Sequence, residues 1–324
     1  MNARRSVEIL FLVIVPLAIF LLLSEIVLRV YLSRHIFYDV EMSRYALELK
    51  ADSPNPLIGH HHRPDSEARL MGASVRTNSD GFRDDDYSVE KGEGRRVLLL
   101  GDSLTLGWGV EKEATFEHLL ELRLNEREPT EVINLGVGNY NTTQEVNLLI
   151  DKGLKYDPDL VVLFYFINDA EPAPQKSRFP QLGHIRMVTF YWSRIKALEA
   201  RLSETTGYRE AYSALYREGN TGWARSQAAL RKLSELSRAN GFDLKVVLLP
   251  ELHELADYAF AKEHAMVTDF LGEIGVPALD LAPMFRDEAS PQSLWVAMDD
   301  AHPNARAHGL IAEYAFDFIA EGGR

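Results

Sequence analysis

Ser103 lies where a run of branched apolar residues stops. The stretch RRVLLLGDSLTLGWGV, residues 95–110, is typical of a buried strand up to Leu100, and Gly101, Asp102 and Ser103 follow it. A serine hydroxyl at this position has two common uses, as a nucleophile in acyl transfer or as the cap of a following helix. The stretch alone leaves both uses open, so the residues that would accompany a nucleophile have to decide.

A candidate base and acid occur near the C-terminus, in the segment MDDAHPNARAHG. Asp299 and His302 are three positions apart in a predicted loop before the last helix, a spacing that places the carboxylate within reach of the imidazole. Asp300 is a competing acid, and His302 has an alternative use as the cap of that helix. His308 is interpreted as a surface histidine in the middle of the helix.

Two other segments contain groups suited to stabilising a negative charge that develops during a reaction. Asn168 ends the longest strand-like apolar run of the chain, in the sequence FIND, where its side-chain amide is a hydrogen-bond donor. The segment NLGVGNYNT, residues 134–142, contains glycines that let backbone N–H groups approach a substrate closely. Together with Ser103 and His302, these groups would supply an oxyanion-stabilising site.

Strand-like and helix-like patterns alternate from Arg95 to the C-terminus. Short apolar runs typical of strands buried on both faces are RRVLLLG, EVINLG, PDLVVLFYFIND, FDLKVVLLP and VPALDL. Helical spacing is found in ATFEHLLELRLNE, TTQEVNLLIDKGL, WARSQAALRKLSELSRANG and PNARAHGLIAEYAFDFIAE. This order predicts an α/β fold with a parallel sheet between helices, whose ligands bind at the carboxyl ends of the strands.

On these motifs the chain resembles the SGNH/GDSL hydrolase family. The family's first sequence block matches Gly101 to Leu104, its second Gly136 to Asn141, its third Asn168-Asp169, and its fifth Asp299 to His302. All four occur in order across residues 95–324. The chain departs from the family in having Phe166 where the third block usually has glycine. The resemblance implies a three-layer α/β/α sandwich around a flavodoxin-like, five-stranded parallel sheet.

The resemblance also implies roles for individual residues. Ser103 would be the nucleophile, His302 the base and then the acid, and Asp299 the group that fixes the imidazole tautomer. The oxyanion would be held by the Asn168 amide and by the backbone N–H groups of Ser103 and of either Gly138 or Asn139. Asp102 is interpreted as a structural turn residue, and no cofactor or metal is expected.

Composition narrows the classes of function. The chain has 324 residues with a formal net charge of −13, and it shows no basic stripe, which argues against a nucleic-acid partner. It contains no cysteine, which excludes thiol catalysis, disulfides and cysteine-ligated zinc. Three consecutive histidines, His60 to His62, cannot converge on one ion from an extended loop, so they are interpreted as a surface loop.

The N-terminus predicts a membrane anchor. After a short tail over residues 1–8, the predicted anchor 9–31 begins with a run that is apolar on all sides from Ile9 to Leu23. It has no small-x-small cleavage pattern at its end, which favours an uncleaved transmembrane helix over a signal peptide. The expected location is the inner membrane, crossed once, with the N-terminus in the cytoplasm and the catalytic domain outside. An extension, residues 32–94, is expected to pack partly on the catalytic domain, residues 95–324, whose insertion 170–221 would form a lid or substrate wall.

Together these features predict a membrane-anchored serine ester hydrolase that removes O-acyl groups, chiefly acetyl, from carbohydrate or glycolipid. The predicted partners are the acylated carbohydrate or lipid substrate and the membrane. One alternative is an O-acyltransferase that uses the same triad on an envelope polysaccharide, because both activities share the acyl-enzyme step. The other is a catalytically silent binding or assembly protein of the same fold.

Overall fold

The computed structural model describes residues 3–173, 180–202 and 207–321. The chain forms two compact units, Met1–Leu47 with Lys176–Thr205, and Glu48–Gln175 with Thr206–Arg324. Of the predicted insertion 170–221, residues 174–179 and 203–206 lie outside the described residues.

Helices and strands account for most of the described residues. The helices are α1 (Ala3–Leu32), α2 (Tyr38–Glu48), α3 (Ser103–Leu106), α4 (Phe116–Asn125), α5 (Thr142–Leu148), α6 (Arg186–Leu202), α7 (Tyr208–Leu215), α8 (Thr221–Asn240), α9 (Ala261–Glu273) and α10 (Ala305–Ala320). The strands are β1 (Lys50–Asp52), β2 (His60–His62), β3 (Glu67–Leu70), β4 (Ala73–Arg76), β5 (Arg95–Leu100), β6 (Thr130–Asn134), β7 (Leu160–Tyr165), β8 (Asp243–Leu248), β9 (Ala278–Asp280), β10 (Trp295–Ala297) and β11 (Asp300–Pro303).

A five-stranded parallel sheet forms the centre of the second unit. Its strand order is β6-β5-β7-β8-β9, so the first strand along the chain, β5, lies inside the sheet between β6 and β7. This is the flavodoxin-like order, and the reversal of strand order beside β5 creates a crevice at the carboxyl edge. The predicted α/β/α fold is confirmed.

Helices cover both faces of this sheet, and the strands divide their side chains between them with a period of two. On β7, Val161 and Leu163 contribute to one buried cluster with α5, α8 and α9. The intervening Val162 and Phe164 contribute to the other, with α4 and α10. Burial on both faces explains why these strands are continuously apolar in sequence.

The extension before β5 contains two antiparallel hairpins, β1–β2 and β3–β4. His60 to His62 form β2, where Lys50 pairs with His62. The interpretation of these histidines as a surface loop was wrong, because His62 is fully buried and its Nδ1 lies 3.0 Å from the carbonyl oxygen of Gly81.

The first unit contains the apolar N-terminal helix. Phe11–Leu32 of α1 is 22 residues long with a mean hydropathy of 2.8, which is long and apolar enough to cross a membrane. Glu25, on this segment, accepts hydrogen bonds from the backbone N–H groups of Arg186 and Met187 at the start of α6. Its carboxylate therefore satisfies backbone donors that a helix cannot pair internally at its first turn.

His308 differs from its expected place on a helix surface. It lies on α10 and is fully buried against the start of α4. Its Nδ1 accepts the backbone N–H of Phe116, and its ring stacks on the Phe116 ring. Burial lowers the pKa of His308 to about 3, so the imidazole is neutral in the folded protein.

Acid should destabilise the protein partly through His308. An unfolded-state histidine has a pKa of about 6.5, so between about pH 6.5 and pH 3 the unfolded chain binds a proton that the folded chain does not. The contribution of His308 to the free energy of unfolding is complete above pH 6.5, and about 2 kcal/mol of this contribution should be lost by pH 5. We expect His308→Asn, which keeps an acceptor for Phe116 and cannot titrate, to lose less stability than wild type between pH 7 and pH 5 in urea unfolding. Equal losses would contradict a role for His308 in acid unfolding.

Candidate active site

The chain makes a tight turn where β5 ends. A Cβ on Gly101 would lie 2.0 Å from Thr105 Oγ1 and 3.2 Å from the carbonyl oxygen of Phe164, so only glycine fits. Asp102 then caps the short helix α3 by accepting the backbone N–H of Leu104. The turn leaves Ser103, the first residue of α3, largely buried at the carboxyl edge of the sheet.

Ser103 and His302 lie in contact, as the sequence predicts. Ser103 Oγ is 2.8 Å from His302 Nε2, and His302 Nδ1 is 2.5 Å from a carboxylate oxygen of Asp300. This arrangement lets the imidazole accept the hydroxyl proton at one nitrogen while the other donates to a carboxylate. The carboxylate differs from expectation, because it belongs to Asp300 and not to Asp299.

The geometry of a β-hairpin explains this difference. The predicted loop before the last helix is the strand pair β10–β11, with Ala297 opposite Asp300 and Trp295 opposite Pro303. Residues two apart on a strand lie on the same face, which brings Asp300 beside His302. Asp299 precedes the strand in the exposed turn of the hairpin.

Asp300 is buried and carries two further hydrogen bonds. Its second oxygen accepts the indole N–H of Trp108 at 2.9 Å, and its first also accepts the backbone N–H of His302. Burial opposes a charge on this carboxyl, but the hydrogen bonds from His302 and Trp108 outweigh it and hold the pKa of Asp300 below its usual range. The carboxylate is therefore ionised where it can stabilise a protonated imidazole.

Asn168 lies beside the serine in a single 3₁₀ turn, Ile167–Ala170, that follows β7. Its Nδ2 donates to Asp102 Oδ2 at 2.9 Å, and Ser103 Oγ is 3.5 Å from the same oxygen. An amide nitrogen has two hydrogens, so this bond orients the second one without using it. Asp102 thus has the structural role expected of it. Its bond to Asn168 also orients the second amide hydrogen of Asn168 away from Asp102.

Behind the serine lies a group of buried carboxyls that cannot all be ionised. Burial raises the pKa of Asp102, Glu145 and Asp169, and mutual repulsion raises the pKa of Glu145 and Asp169 further. Asp102 accepts two N–H donors, those of Leu104 and Asn168, at 2.8 and 2.9 Å, whereas Asp169 accepts the backbone N–H of Phe166 at 3.4 Å. The donors to Asp102 favour its charged form, whereas the pKa values of Glu145 and Asp169 are raised well above their usual range.

The glycine-containing loop after β6 lies against α3. A Cβ on Gly136 would be 2.3 Å from the backbone nitrogen of Leu106, so the close approach requires glycine, and the Val137 N–H donates to the carbonyl oxygen of Gly101. Further along, the Gly138 carbonyl accepts from Lys50 Nζ at 2.6 Å. Asn139 follows with φ of +66°, a left-handed conformation that asparagine tolerates.

Several residues that hold the site were not assigned to it from the sequence, where Asp300 was named only as a competing acid. Asp300 has a signal in sequence, since it alternates with His302, but only if the segment is recognised as a strand. Arg83 has none: it is buried and donates to backbone carbonyl oxygens that follow the serine, those of Leu106, Gly107 and Val110. Lys50 likewise lies far from every motif in the chain.

Comparison with protein families gives one match, over more than half of the chain. The model of the GDSL-like lipase/acylhydrolase family matches residues 99–310, which begin on β5 and end within α10. The matched region contains Ser103, Asn168 and His302. No curated protein matches the chain.

Several solved structures are similar to part of the chain. An acetyl xylan esterase is 16% identical with a TM-score of 0.43, over 69% of this chain and 99% of its own. The psychrotrophic esterase EstA from Pseudoalteromonas sp. is also 16% identical with a TM-score of 0.43, over 69% of this chain and 96% of its own. A two-domain esterase active on acetylated mannans is 15% identical with a TM-score of 0.45, over 69% of this chain and 48% of its own.

Substituting Asp299 and Asp300 in turn tests which of the two aspartates acts with His302. Asp300→Asn removes the charge that orients and stabilises the His302 imidazole, and we expect kcat for p-nitrophenyl acetate to fall by about 10³–10⁴-fold. Asp299→Asn, the matched control in the exposed turn, should change kcat less than about twofold. A larger loss at Asp299 than at Asp300 would refute the register of the β10–β11 hairpin.

Proposed function

The chain belongs to the GDSL-like lipase/acylhydrolase family, and from this premise we propose that Ser103, His302 and Asp300 form the catalytic triad of a carboxylic ester hydrolase. The observation that carries the proposal is the unbroken contact from Ser103 Oγ through His302 to Asp300. It supplies a nucleophile, a base and an orienting acid in one line. This arrangement has a direct use in acyl transfer, which favours an esterase over a binding protein of the same fold.

The proposed reaction proceeds in two steps. His302 Nε2 takes the Ser103 proton as Oγ attacks the ester carbonyl, and the protonated imidazole then gives that proton to the departing alcohol, which leaves an acyl-serine. Water next attacks the acyl-serine, with His302 again removing and returning the proton, and the carboxylic acid is released. Asp300 keeps the Nδ1 hydrogen in place throughout.

Three donors would hold the oxyanion formed in each step. We assign the free hydrogen of the Asn168 amide, the backbone N–H of Ser103 and a backbone N–H from the Gly138–Asn139 segment. The support for Asn168 is its bond to Asp102, which orients the amide before substrate binds. Donors held in advance stabilise charge that exists only in the transition state, so they raise kcat more than they lower KM.

The proposed substrate is an O-acylated, chiefly O-acetylated, carbohydrate or glycolipid. Flat side-chain rings suited to contacts with sugar rings occur near the carboxyl edge. The rings of Tyr208 and Trp295 both contact the His253 ring at a tilt, with centroid distances of 5.0 and 4.7 Å. Tyr208 is exposed, and Trp295 is opposite Pro303, the residue after His302. The net charge of −13 disfavours a strongly anionic substrate.

We also propose that α1 anchors the enzyme in the inner membrane, with the catalytic domain outside the cytoplasm. The support is the length and hydropathy of Phe11–Leu32, whose described side chains are mostly exposed, as expected of a helix surrounded by lipid. An enzyme anchored on the outer side of the inner membrane would have access to acylated glycans and lipids of the envelope.

Replacing the proposed nucleophile tests the chemistry. Ser103→Ala should abolish release of acetate from acetylated oligosaccharides and should block covalent labelling by a fluorophosphonate, because the variant lacks the hydroxyl that contacts His302. Melting of the variant should match wild type. Labelling that persists in Ser103→Ala would refute the assignment. Repeating the wild-type assay with an acceptor sugar separates the alternatives, since transferred rather than free acetate would identify an acyltransferase.

Topology can be tested by C-terminal fusion. Alkaline phosphatase is active only after export, so a fusion to the full chain should be active and should stay with membranes through carbonate extraction. An inactive but stable fusion would place the catalytic domain in the cytoplasm. An active fusion released as a shortened soluble protein would identify α1 as a cleaved signal sequence.

A further inference from the structure

The hairpin β1–β2 brings a buried lysine onto the loop that follows β6. Lys50 Nζ donates to the carbonyl oxygen of Gly138 at 2.6 Å and to Asn139 Oδ1 at 2.8 Å. His60, on the second strand of the hairpin, has Nε2 at 3.2 Å from the same carbonyl oxygen. Two side chains of the extension therefore converge on one peptide unit of the loop.

That peptide unit also contains a candidate oxyanion donor. The Gly138 carbonyl and the Asn139 N–H belong to the same planar amide, and among the described residues there is no cis peptide, so the two groups point in opposite directions. Holding the carbonyl with Lys50 fixes the direction in which the Asn139 N–H points. Hydrogen bonds to a carbonyl oxygen also polarise the amide, which makes its N–H a stronger donor.

We infer that Lys50 is a positioning residue that aims and strengthens the Asn139 N–H as an oxyanion donor, an inference that rests on the proposed esterase function. It also selects between the two candidate backbone donors, since the Gly138 N–H belongs to the preceding peptide. Lys50 acts through the Gly138 carbonyl and does not itself touch the substrate.

The burial of Lys50 supports this role. Lysine is among the residues least often buried, because removing an ammonium group from water costs free energy that the site must offset. Burial lowers the pKa of Lys50 to about 7, yet its amine remains a hydrogen-bond donor in either protonation state. A side chain needed only to fill this space would not require a donor.

Neighbouring contacts hold the loop after β6, which contains the Gly138 carbonyl that Lys50 binds. The Tyr140 hydroxyl donates to the backbone carbonyl of His60 at 2.5 Å, and the two rings meet edge to face at 5.1 Å. At the start of the loop, the Val137 N–H donates a hydrogen bond to the carbonyl oxygen of Gly101, two residues before the serine. The loop is thus held between the extension on one side and the serine turn on the other.

The test compares two full-length variants in detergent. Lys50→Met keeps an unbranched side chain and removes the donor. Lys245→Met is the matched control, because Lys245 Nζ also donates to a backbone carbonyl, that of Phe318, but lies away from the site. Active enzyme is counted by fluorophosphonate titration of Ser103, so kcat is measured per reactive serine and loss of folded protein is not mistaken for loss of rate.

For Lys50→Met we expect kcat to fall about 10–100-fold with KM within about twofold, somewhat less than the ~10²–10³ for losing a donor outright. Lys245→Met should keep wild-type kcat. An unchanged kcat per titrated serine in Lys50→Met would overturn the inference, and so would a rise in KM at unchanged kcat.

A second variant covers the case in which Lys50→Met does not fold. His60→Phe keeps the aromatic contact with Tyr140 and removes the other donor to Gly138, so kcat should fall a few-fold at constant KM, and no change would overturn the inference. Failure of the inference is distinguishable from failure of the proposed function. In the first case Ser103→Ala is inactive while both loop variants are normal, whereas in the second Ser103→Ala itself remains active.

Discussion

The hydrogen bond between Ser103 and His302 joins residues 199 positions apart, and the geometry of the site depends on it. A closed set of contacts maintains it. Ser103 contacts His302, His302 contacts Asp300, and Asp300 accepts the indole N–H of Trp108, whose own backbone N–H returns to the carbonyl of Ser103. Each member is positioned by the next, so the imidazole cannot turn away without breaking a buried hydrogen bond, which is costly in an apolar environment.

The extension before β5 contributes directly to the structure of the site. Three of its buried basic side chains, Arg83, Lys50 and His62, form hydrogen-bond contacts with backbone carbonyl oxygens. Arg83 satisfies carbonyls after the serine helix, and Lys50 satisfies one in the loop after β6. The family match begins at residue 99, so these contacts come from outside the matched region. Arg83 and Lys50 thus support the segment after the serine and the loop after β6, whereas His62 contacts Gly81 within the extension.

The sequence by itself determined the sheet and the edge at which the site would form. Continuous apolar runs ending in Gly101, Asn168 and the loop at Gly136 predict buried parallel strands, because such strands are apolar on both faces. It also predicted the contact between Ser103 and His302. These features depend on local pattern and on chain order, which a single sequence contains.

Only the tertiary structure decided which aspartate meets His302 and what holds the loop after β6. The choice of Asp300 over Asp299 depends on strand pairing between β10 and β11, and a strand has period two whatever the motif spacing suggests. The contacts of Lys50 and Arg83 join segments with no common pattern, and their burial is favourable only where backbone carbonyls lack another donor. Such carbonyls are set by the folded path of the chain, so residue types alone do not reveal them.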